Sequence, residues 1–151
     1  MNKLSITLIL FLISIGNLYS QERMIKGRVI AENLEILPFA SIMVNDTIEV
    51  GKPDVNGYFQ INVPVSEQKI IFICVGFEVT HLSLDEKCNE VEVIMMDAVT
   101  YDFITLKRVD KLRKKRFNNL SKLHKEAFKK GIFKTDKACY KQEFIPYYKK
   151  K

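Results

Sequence analysis

The chain has 151 residues, 47% of them hydrophobic and 28% charged, and these values are typical of one globular domain with at most a small appendage. Two histidines and three cysteines are too few for a zinc site built on paired Cys-x-x-Cys motifs, and P-loop, dinucleotide-binding, zincin and nucleophile-elbow signatures are absent. Residues 21–106 hold 6 basic and 14 acidic residues (net −8), whereas residues 107–151 hold 17 basic and 4 acidic ones (net +13). This change of charge predicts a boundary between two parts of the chain near residue 106.

The first twenty residues have the layout of a cleaved secretory signal. Lys3 precedes an apolar run over residues 8–15, Gly16-Asn17 breaks the helix, and the small residue Ser20 precedes the expected cleavage site. The whole stretch without charge from Leu4 to Ile15, about twelve residues, is shorter than the ~20 residues that cross a bilayer. We therefore expect export to the periplasm, the outer membrane or the extracellular space, with cleavage after Ser20.

Export makes the three cysteines informative, because disulfides form and persist in oxidising compartments. Cys74 lies in an apolar run and is expected to be a small buried hydrophobic residue. Cys88 lies in a polar turn and Cys139 in the basic C-terminal segment, so a disulfide between them is one compatible arrangement. The odd count leaves at least one thiol unpaired or bonded to another molecule.

Residues 24–97 contain short segments in which apolar and polar residues alternate, the pattern of strands with one buried face. The predicted strands are residues 24–31, 39–45, 58–63, 69–75, 79–84 and 91–96. The strand at 69–75 differs from the others because its run is apolar on both faces, which predicts a central strand. Asp54, Asn56 and Gly57 predict a tight turn in which Gly57 takes a positive φ, and Pro38 ends a loop before a strand. Strands of this length and spacing predict a small antiparallel β-sandwich.

Four segments of the chain follow one another in a characteristic order. They read GRV at 27–29, LPFASIMV at 37–44, DVNGYFQINVP at 54–64 and VGF at 75–77. This order resembles the carboxypeptidase regulatory-like domain family, whose pattern is G-x-V, L-P-x-A-x-V-x-V, T-D-x-x-G-x-F-x-I-x-V-P and a late G-Y or G-F. Pro53 stands where the family usually has Thr.

The resemblance implies a mainly β fold, a seven-stranded transthyretin-like (prealbumin-like) Greek-key sandwich. Such domains are found in exported and outer-membrane proteins of Gram-negative bacteria, as structural or interaction modules without catalytic residues of their own. The resemblance assigns structural turn roles to Pro38, Asp54, Asn56, Gly57 and Gly76. Together with the signal-like first twenty residues and the charge break near residue 106, it predicts a signal peptide (1–20), a sandwich domain (21–106) and a basic helix with a tail (107–151).

Two classes of function are compatible with such a domain. The first is a non-enzymatic interaction module of the cell envelope, with no catalytic, cofactor-binding or metal-binding residues. The alternative is a carbohydrate-binding unit or small hydrolase that uses loops at one end of the sandwich, where the acidic residues are Asp46, Glu49, Asp54 and Glu67. A pocket that brings His81 together with two of these carboxylates would favour the alternative.

Residues 107–130 predict an amphipathic helix that ends at Gly131, with Asp110 in the first turn and Lys129 in the last. The apolar stripe comprises Val109, Leu112, Phe117, Leu120, Leu123, Ala127 and Phe128. A candidate partner or membrane surface comprises Lys111, Arg113, Lys114, Lys115, Arg116, Lys122 and Lys125. Residues 99–106 are compatible with a strand or a connector, and residues 139–151 with a further strand.

Three kinds of partner are compatible with this helix. Its stripe can pack on the chain's own sandwich or on an envelope protein, and we expect the first arrangement to bury Leu112, Leu120 and Leu123. The second kind of partner is anionic lipid or lipopolysaccharide, on which the helix would lie at the membrane interface, since residues 107–130 hold 11 basic and 2 acidic residues. Nucleic acid is the least favoured partner, because an exported chain rarely meets it.

Overall fold

The structure, a computed structural model, describes residues 21–148, so the predicted signal segment lies outside the described residues. The elements in chain order are β1 (Glu22–Ala31), β2 (Ser41–Val44), β3 (Ile48–Gly51), β4 (Tyr58–Pro64), β5 (Lys69–Ile73), β6 (Thr80–Leu84), β7 (Glu90–Met95), α1 (Leu106–Lys129) and β8 (Tyr140–Glu143). The mainly β class with a C-terminal helix is confirmed. Seven strands precede the helix, including β3, which the alternation pattern missed, and an eighth follows it.

The strands form two sheets, in the orders β4-β1-β7 and β3-β2-β5-β6-β8. β1 pairs antiparallel with β4 but parallel with β7, so the prediction of a purely antiparallel sandwich is wrong at this pair. A parallel pair needs a long crossover, and the intervening strands β2 to β6 supply it. A Cβ on Gly27 would overlap the Val91 carbonyl group, so glycine lets β1 and β7 approach closely.

The main core lies between the two sheets and follows the predicted alternation. Ile25 and Val29 of β1 are fully buried, as are Ile42 of β2 and Val63 of β4. β5 is buried on both faces at its centre, as its continuous apolar run predicts. The residues that hold the two sheets together are therefore those that the period-two pattern identifies as buried.

Helix α1 forms a third layer on the outer face of the three-stranded sheet. A second buried cluster joins the layers and consists of Ile30, Ile94, Met96, Leu120, Ala127 and Phe133. The helix begins after Thr105, so Asp110 lies in its second turn and its expected place in the first turn is wrong. At the other end Gly131 follows the helix with a φ of 71°, as a helix-terminating glycine does.

The buried side of α1 differs from the predicted stripe. Leu120 is buried and Leu123 is half-buried, but Leu112 is 41% exposed, so its expected burial is wrong. Arg113 and His124 are buried instead, because each finds polar partners beneath the helix. The helix is therefore rotated away from the orientation that hydrophobicity alone would set.

The segment after α1 returns to the sandwich as β8, which pairs with β6 at the edge of the five-stranded sheet. A disulfide joins Cys88 to Cys139 with a Cα–Cα distance of 5.3 Å, and Cys74 is a free, half-buried thiol that packs against the core. The segment between β7 and α1 is a connector and not a strand.

The buried carboxylate of Glu92 on β7 fixes the loop between α1 and β8. It accepts hydrogen bonds from the backbone N–H of Lys134 (2.5 Å) and Thr135 (3.1 Å) and from the Thr135 hydroxyl group (2.7 Å). The Tyr140 hydroxyl group donates to the Glu92 carbonyl oxygen at 2.5 Å, and burial raises the pKa of this phenol. The C-terminal segment is thus bonded along β7 as well as paired with β6.

Candidate interaction surface

The predicted turn at 54–57 lies between β3 and β4 in the chain and is hydrogen-bonded to β1. The Asp54 Oδ1 atom accepts hydrogen bonds from the backbone N–H groups of Asn56 and Tyr58, both at 2.9 Å. Gly57 has a φ of 77°, as predicted, and its carbonyl oxygen accepts from the Val29 N–H at 2.8 Å. The Asp54 carboxylate and Gly57 are thus bonded to the chain's own backbone, and the Asn56 carbonyl oxygen accepts a hydrogen bond from the Arg28 side chain at 3.2 Å.

Pro38 and Gly76 lie in two other connections. Pro38 precedes Phe39, which takes a φ of 64° as the chain enters β2. Gly76, with a φ of 85°, lies in the hairpin between β5 and β6, and its carbonyl oxygen accepts a hydrogen bond from the Ala98 N–H at 2.8 Å. This bond fixes the hairpin to the segment that follows β7.

His81 is not brought together with two of the loop carboxylates. It lies on β6 opposite Glu143, while Glu49 on β3 is separated from it by β2 and β5, a distance of about 14 Å at ordinary strand spacing. Asp54 accepts from its own turn, and Glu67 accepts from the Lys69 N–H at 2.9 Å. Within residues 21–148 the cluster that would favour a hydrolase is not assembled.

Arg113 does not belong to the exposed basic surface, so the sequence-based prediction is wrong for this residue: its side chain is buried between α1 and the sandwich. Its Nε and Nη2 atoms donate to the two carboxylate oxygens of Glu78 at 3.0 and 2.7 Å, and Nη1 donates to Asp110 at 2.8 Å. The guanidinium carbon lies 3.6 Å from the centre of the Tyr147 ring. Arg113 therefore joins the helix, the sandwich and the tail.

Asp110 holds the tail in the same junction. Its carboxylate accepts hydrogen bonds from the backbone N–H groups of Tyr147 (3.0 Å) and Tyr148 (2.7 Å). Burial opposes ionisation, but these bonds and the Arg113 guanidinium outweigh it, so the pKa of Asp110 lies below its usual value. The carboxylate is therefore charged at neutral pH, and the junction keeps one cation between two anions.

Arg116 is also removed from the predicted free surface, being half-buried. Its guanidinium forms an ion pair with Glu32 and donates to the Asp97 carbonyl oxygen at 2.9 Å. Burial works against the charged form, yet the hydrogen bonds to Glu32 and Tyr101 prevail and raise the pKa of Arg116. Both arginines of the predicted surface thus position the helix.

The five lysines of the predicted surface point outward from α1. Lys111, Lys114, Lys115, Lys122 and Lys125 are all exposed. In the part of the chain that the structure describes, none of them forms a salt bridge, although the Lys114 ammonium group lies 4.6 Å from the Phe144 ring centre. We call these five residues the lysine face.

A cavity of about 510 Å³ opens between α1 and β8. Its lining includes Phe117 and Leu120 from the helix, Tyr140 from β8 and Ile94 from β7, with Lys125 also among the lining residues. Sequence analysis missed this cavity because its walls are adjacent only after the C-terminal segment folds back on the sandwich. His124 also lines it, and burial lowers the pKa of its ring, which leaves it uncharged at neutral pH.

Comparison with known proteins decides the family. Residues 25–102, just over half of the chain, match the family model described as the CarboxypepD_reg-like domain. The chain belongs to this family. The resemblance predicted from the sequence is thereby confirmed, and a search of curated proteins finds no match.

The CarboxypepD_reg-like region contains β2 to β7 and most of β1. Helix α1, the lysine face and β8 lie beyond the matched residues. In residues 21–148 no group of three His, Cys, Asp or Glu side chains could hold a metal ion, and no helix is long and apolar enough to span a bilayer. The helix, the lysine face and the last strand therefore lie outside the part of the chain that the family model covers.

Proposed function

We propose that this CarboxypepD_reg-like protein is an exported, non-enzymatic β-sandwich that acts as a structural or protein-interaction module at the bacterial cell envelope. The signal-like layout of residues 1–20 supports export. The bond between Cys88 and Cys139 also supports it, because such a bond persists in oxidising compartments.

The observation that carries the proposal is the lysine face on a helix that is fixed to the sandwich. Leu120 and the Arg113 junction hold α1 in place, so the five exposed lysines belong to one helix that is packed on the sandwich. Unpaired cations of one sign attract an anionic surface and speed its association. The favoured partner is an acidic surface of another envelope protein.

The proposal can be tested by cell fractionation with chemical cross-linking. We expect the protein in the envelope fraction, cross-linked to a partner, and we expect Lys115→Glu combined with Lys122→Glu to abolish the cross-link. The matched control is Lys69→Glu with Lys87→Glu, which makes the same charge change on the sandwich. A cytoplasmic protein, or equal loss of the cross-link in the control, would contradict the proposal.

A further inference from the structure

The cavity between α1 and β8 has an apolar, largely aromatic interior. Ile94 and Leu120 are buried in its wall, and the rings of Phe117, His124 and Tyr140 line it beside them. Its volume of about 510 Å³ lies within the range of about 300–1,000 Å³ that is typical of small-molecule sites. The cavity therefore has the size and the kind of wall that an organic ligand needs.

Two polar side chains of β8 that line the cavity are bonded to the backbone of β7. The Tyr140 hydroxyl group donates to the Glu92 carbonyl oxygen at 2.5 Å, and Gln142 Nε2 donates to the Ile94 carbonyl oxygen at 3.3 Å. These bonds join β8 to β7, so they hold this wall of the cavity in place.

His124 presents a free acceptor at the cavity. Its side chain is only 6% exposed, and its ring centre lies 4.8 Å from that of Phe133. The Nε2 atom lies 3.1 Å from the Thr135 carbonyl oxygen. Because a carbonyl oxygen only accepts, Nε2 carries the proton, and Nδ1 of the uncharged ring is an acceptor.

The Nδ1 atom of His124 forms no hydrogen bond within residues 21–148. In the same residues, Arg23 Nε is the side-chain nitrogen or oxygen atom that is both completely buried and unpartnered. Nδ1 is therefore not enclosed by protein, and the cavity that its ring lines is the open space beside it. Burial lowers the pKa of the ring, although Glu92 and Asp136 favour its charged form, so the acceptor is available at neutral pH.

These features select the class of ligand. A charge moved into the interior would lose its water without meeting a buried counter-ion, so an uncharged molecule is favoured. The charged residues of the lining, Lys125 and Lys137 against Asp136, are all exposed, and solvent screens their net single positive charge. Aromatic walls favour an aromatic ligand, and the Nδ1 acceptor favours one with a hydrogen-bond donor.

We propose that this cavity binds an uncharged aromatic compound that carries a hydroxyl group. The rings of the ligand lie between Phe117 and Tyr140, and its hydroxyl group donates to His124 Nδ1. This site goes beyond the proposed function and does not depend on it, because the ligand lies beneath α1 whereas the lysine face points outward. Lys125 is the member of the lysine face that also stands at the mouth of the cavity.

The test is a fluorescence titration of the disulfide-bonded chain that begins at Gln21 with three probes at neutral pH. The first probe, 2-naphthol, is uncharged and has a donor, its methyl ether has the same rings without the donor, and naphthoate is an anion of similar shape. We expect naphthol to bind at least ~fivefold more tightly than the ether or naphthoate.

Two variants locate the binding. His124→Phe keeps a ring in the wall but removes the acceptor, so we expect naphthol and its ether to bind this variant equally. Ser121→Trp places a large side chain at an exposed lining position and should weaken naphthol binding at least ~tenfold. The matched control is Lys122→Trp, at the neighbouring exposed position outside the lining, which should leave the affinity unchanged.

The inference is overturned if naphthol does not bind, if the ether binds equally well to the unaltered chain, or if the two tryptophan variants act alike. Tighter binding of naphthoate would overturn it in favour of an anionic ligand held by Lys125 and Lys137. If His124→Phe does not fold, the three probes and the tryptophan pair decide. Cross-linking in the envelope tests the proposed function separately, so failure of one result leaves the other standing.

Discussion

At the residue scale, Arg113 is the side chain on which most contacts between helix, sandwich and tail depend. Arg113→Leu leaves Glu78 and Asp110 buried without their cation, so we expect the free energy of unfolding to fall by about 3–5 kcal/mol. Urea denaturation followed by circular dichroism measures this change.

The matched control for Arg113 is Lys115→Leu, an exposed position two residues away on the same helix. We expect a change within about 0.5 kcal/mol for this variant. Denaturation midpoints that coincide for Arg113→Leu and Lys115→Leu would show that the junction contributes nothing to stability.

Gly57 is the second residue whose identity the structure explains. Its φ is 77°, and a Cβ there would lie 2.6 Å from the Val29 carbonyl oxygen. Gly57→Val should therefore destabilise the domain by more than ~1 kcal/mol, through both backbone strain and this overlap. Thermal and urea denaturation would reveal it, and Asn56→Ala in the same turn should leave the midpoint almost unchanged.

At the scale of elements, the attachment of α1 depends on its buried leucine. Leu120→Asp places a charge in the cluster that joins the helix to the sheet, so we expect the helix to detach and become sensitive to protease in plain buffer. Leu112→Asp is the control, because Leu112 is exposed. Salt should loosen the helix little, since apolar burial outweighs exposed ion pairs. Resistance of the Leu120→Asp helix to cleavage would refute this attachment.

The disulfide is the second device that holds the C-terminal segment. It closes a loop with a sequence separation of 51, for which the chain-entropy estimate is about 4 kcal/mol. Cys88→Ala with Cys139→Ala should lower the free energy of unfolding by about 2–4 kcal/mol and release β8 first. Hydrogen exchange at 140–143 measures the release, and Cys74→Ala, which leaves the bond intact, is the control. Unchanged protection of β8 would argue that its pairing with β6 suffices.

At the scale of the whole molecule, two blocks of opposite charge form one structure. The acidic sandwich and the basic C-terminal segment meet through a few buried pairs, while the lysine face stays outside. The charge break near residue 106 therefore marks the change from sandwich to helix and not two separate bodies.

The processing of the N-terminus also concerns the whole molecule, because it determines which chain is exported. We predict that the mature protein begins at Gln21, since β1 starts at Glu22 and the preceding segment has the layout of a signal peptide. Intact-mass spectrometry of the protein purified from the envelope should find the chain without residues 1–20. Retention of those residues would favour an anchored form.

Much of the fold could be predicted from the sequence, because it depends on local patterns. Period-two alternation places Ile25, Ile42 and Val63 in the core, and the residue at 57 must be one that tolerates positive φ. The spacing of apolar residues predicts a helix that ends before Gly131. Each of these follows from backbone geometry over a few neighbouring residues, and the order of the turns identifies the family.

The remaining features were decided by the tertiary structure, because they depend on which residues that are distant in sequence come into contact. The parallel pairing of β1 with β7, the choice of Cys88 and Cys139 as partners, and the cavity beside β8 all require the complete chain path. Arg113 shows the physical reason most directly. Its charge predicts solvent exposure. Glu78, 35 residues away in sequence, and Asp110 offset the cost of removing this charge from water. The Arg113 side chain is therefore buried under the helix, whereas Leu112 is exposed.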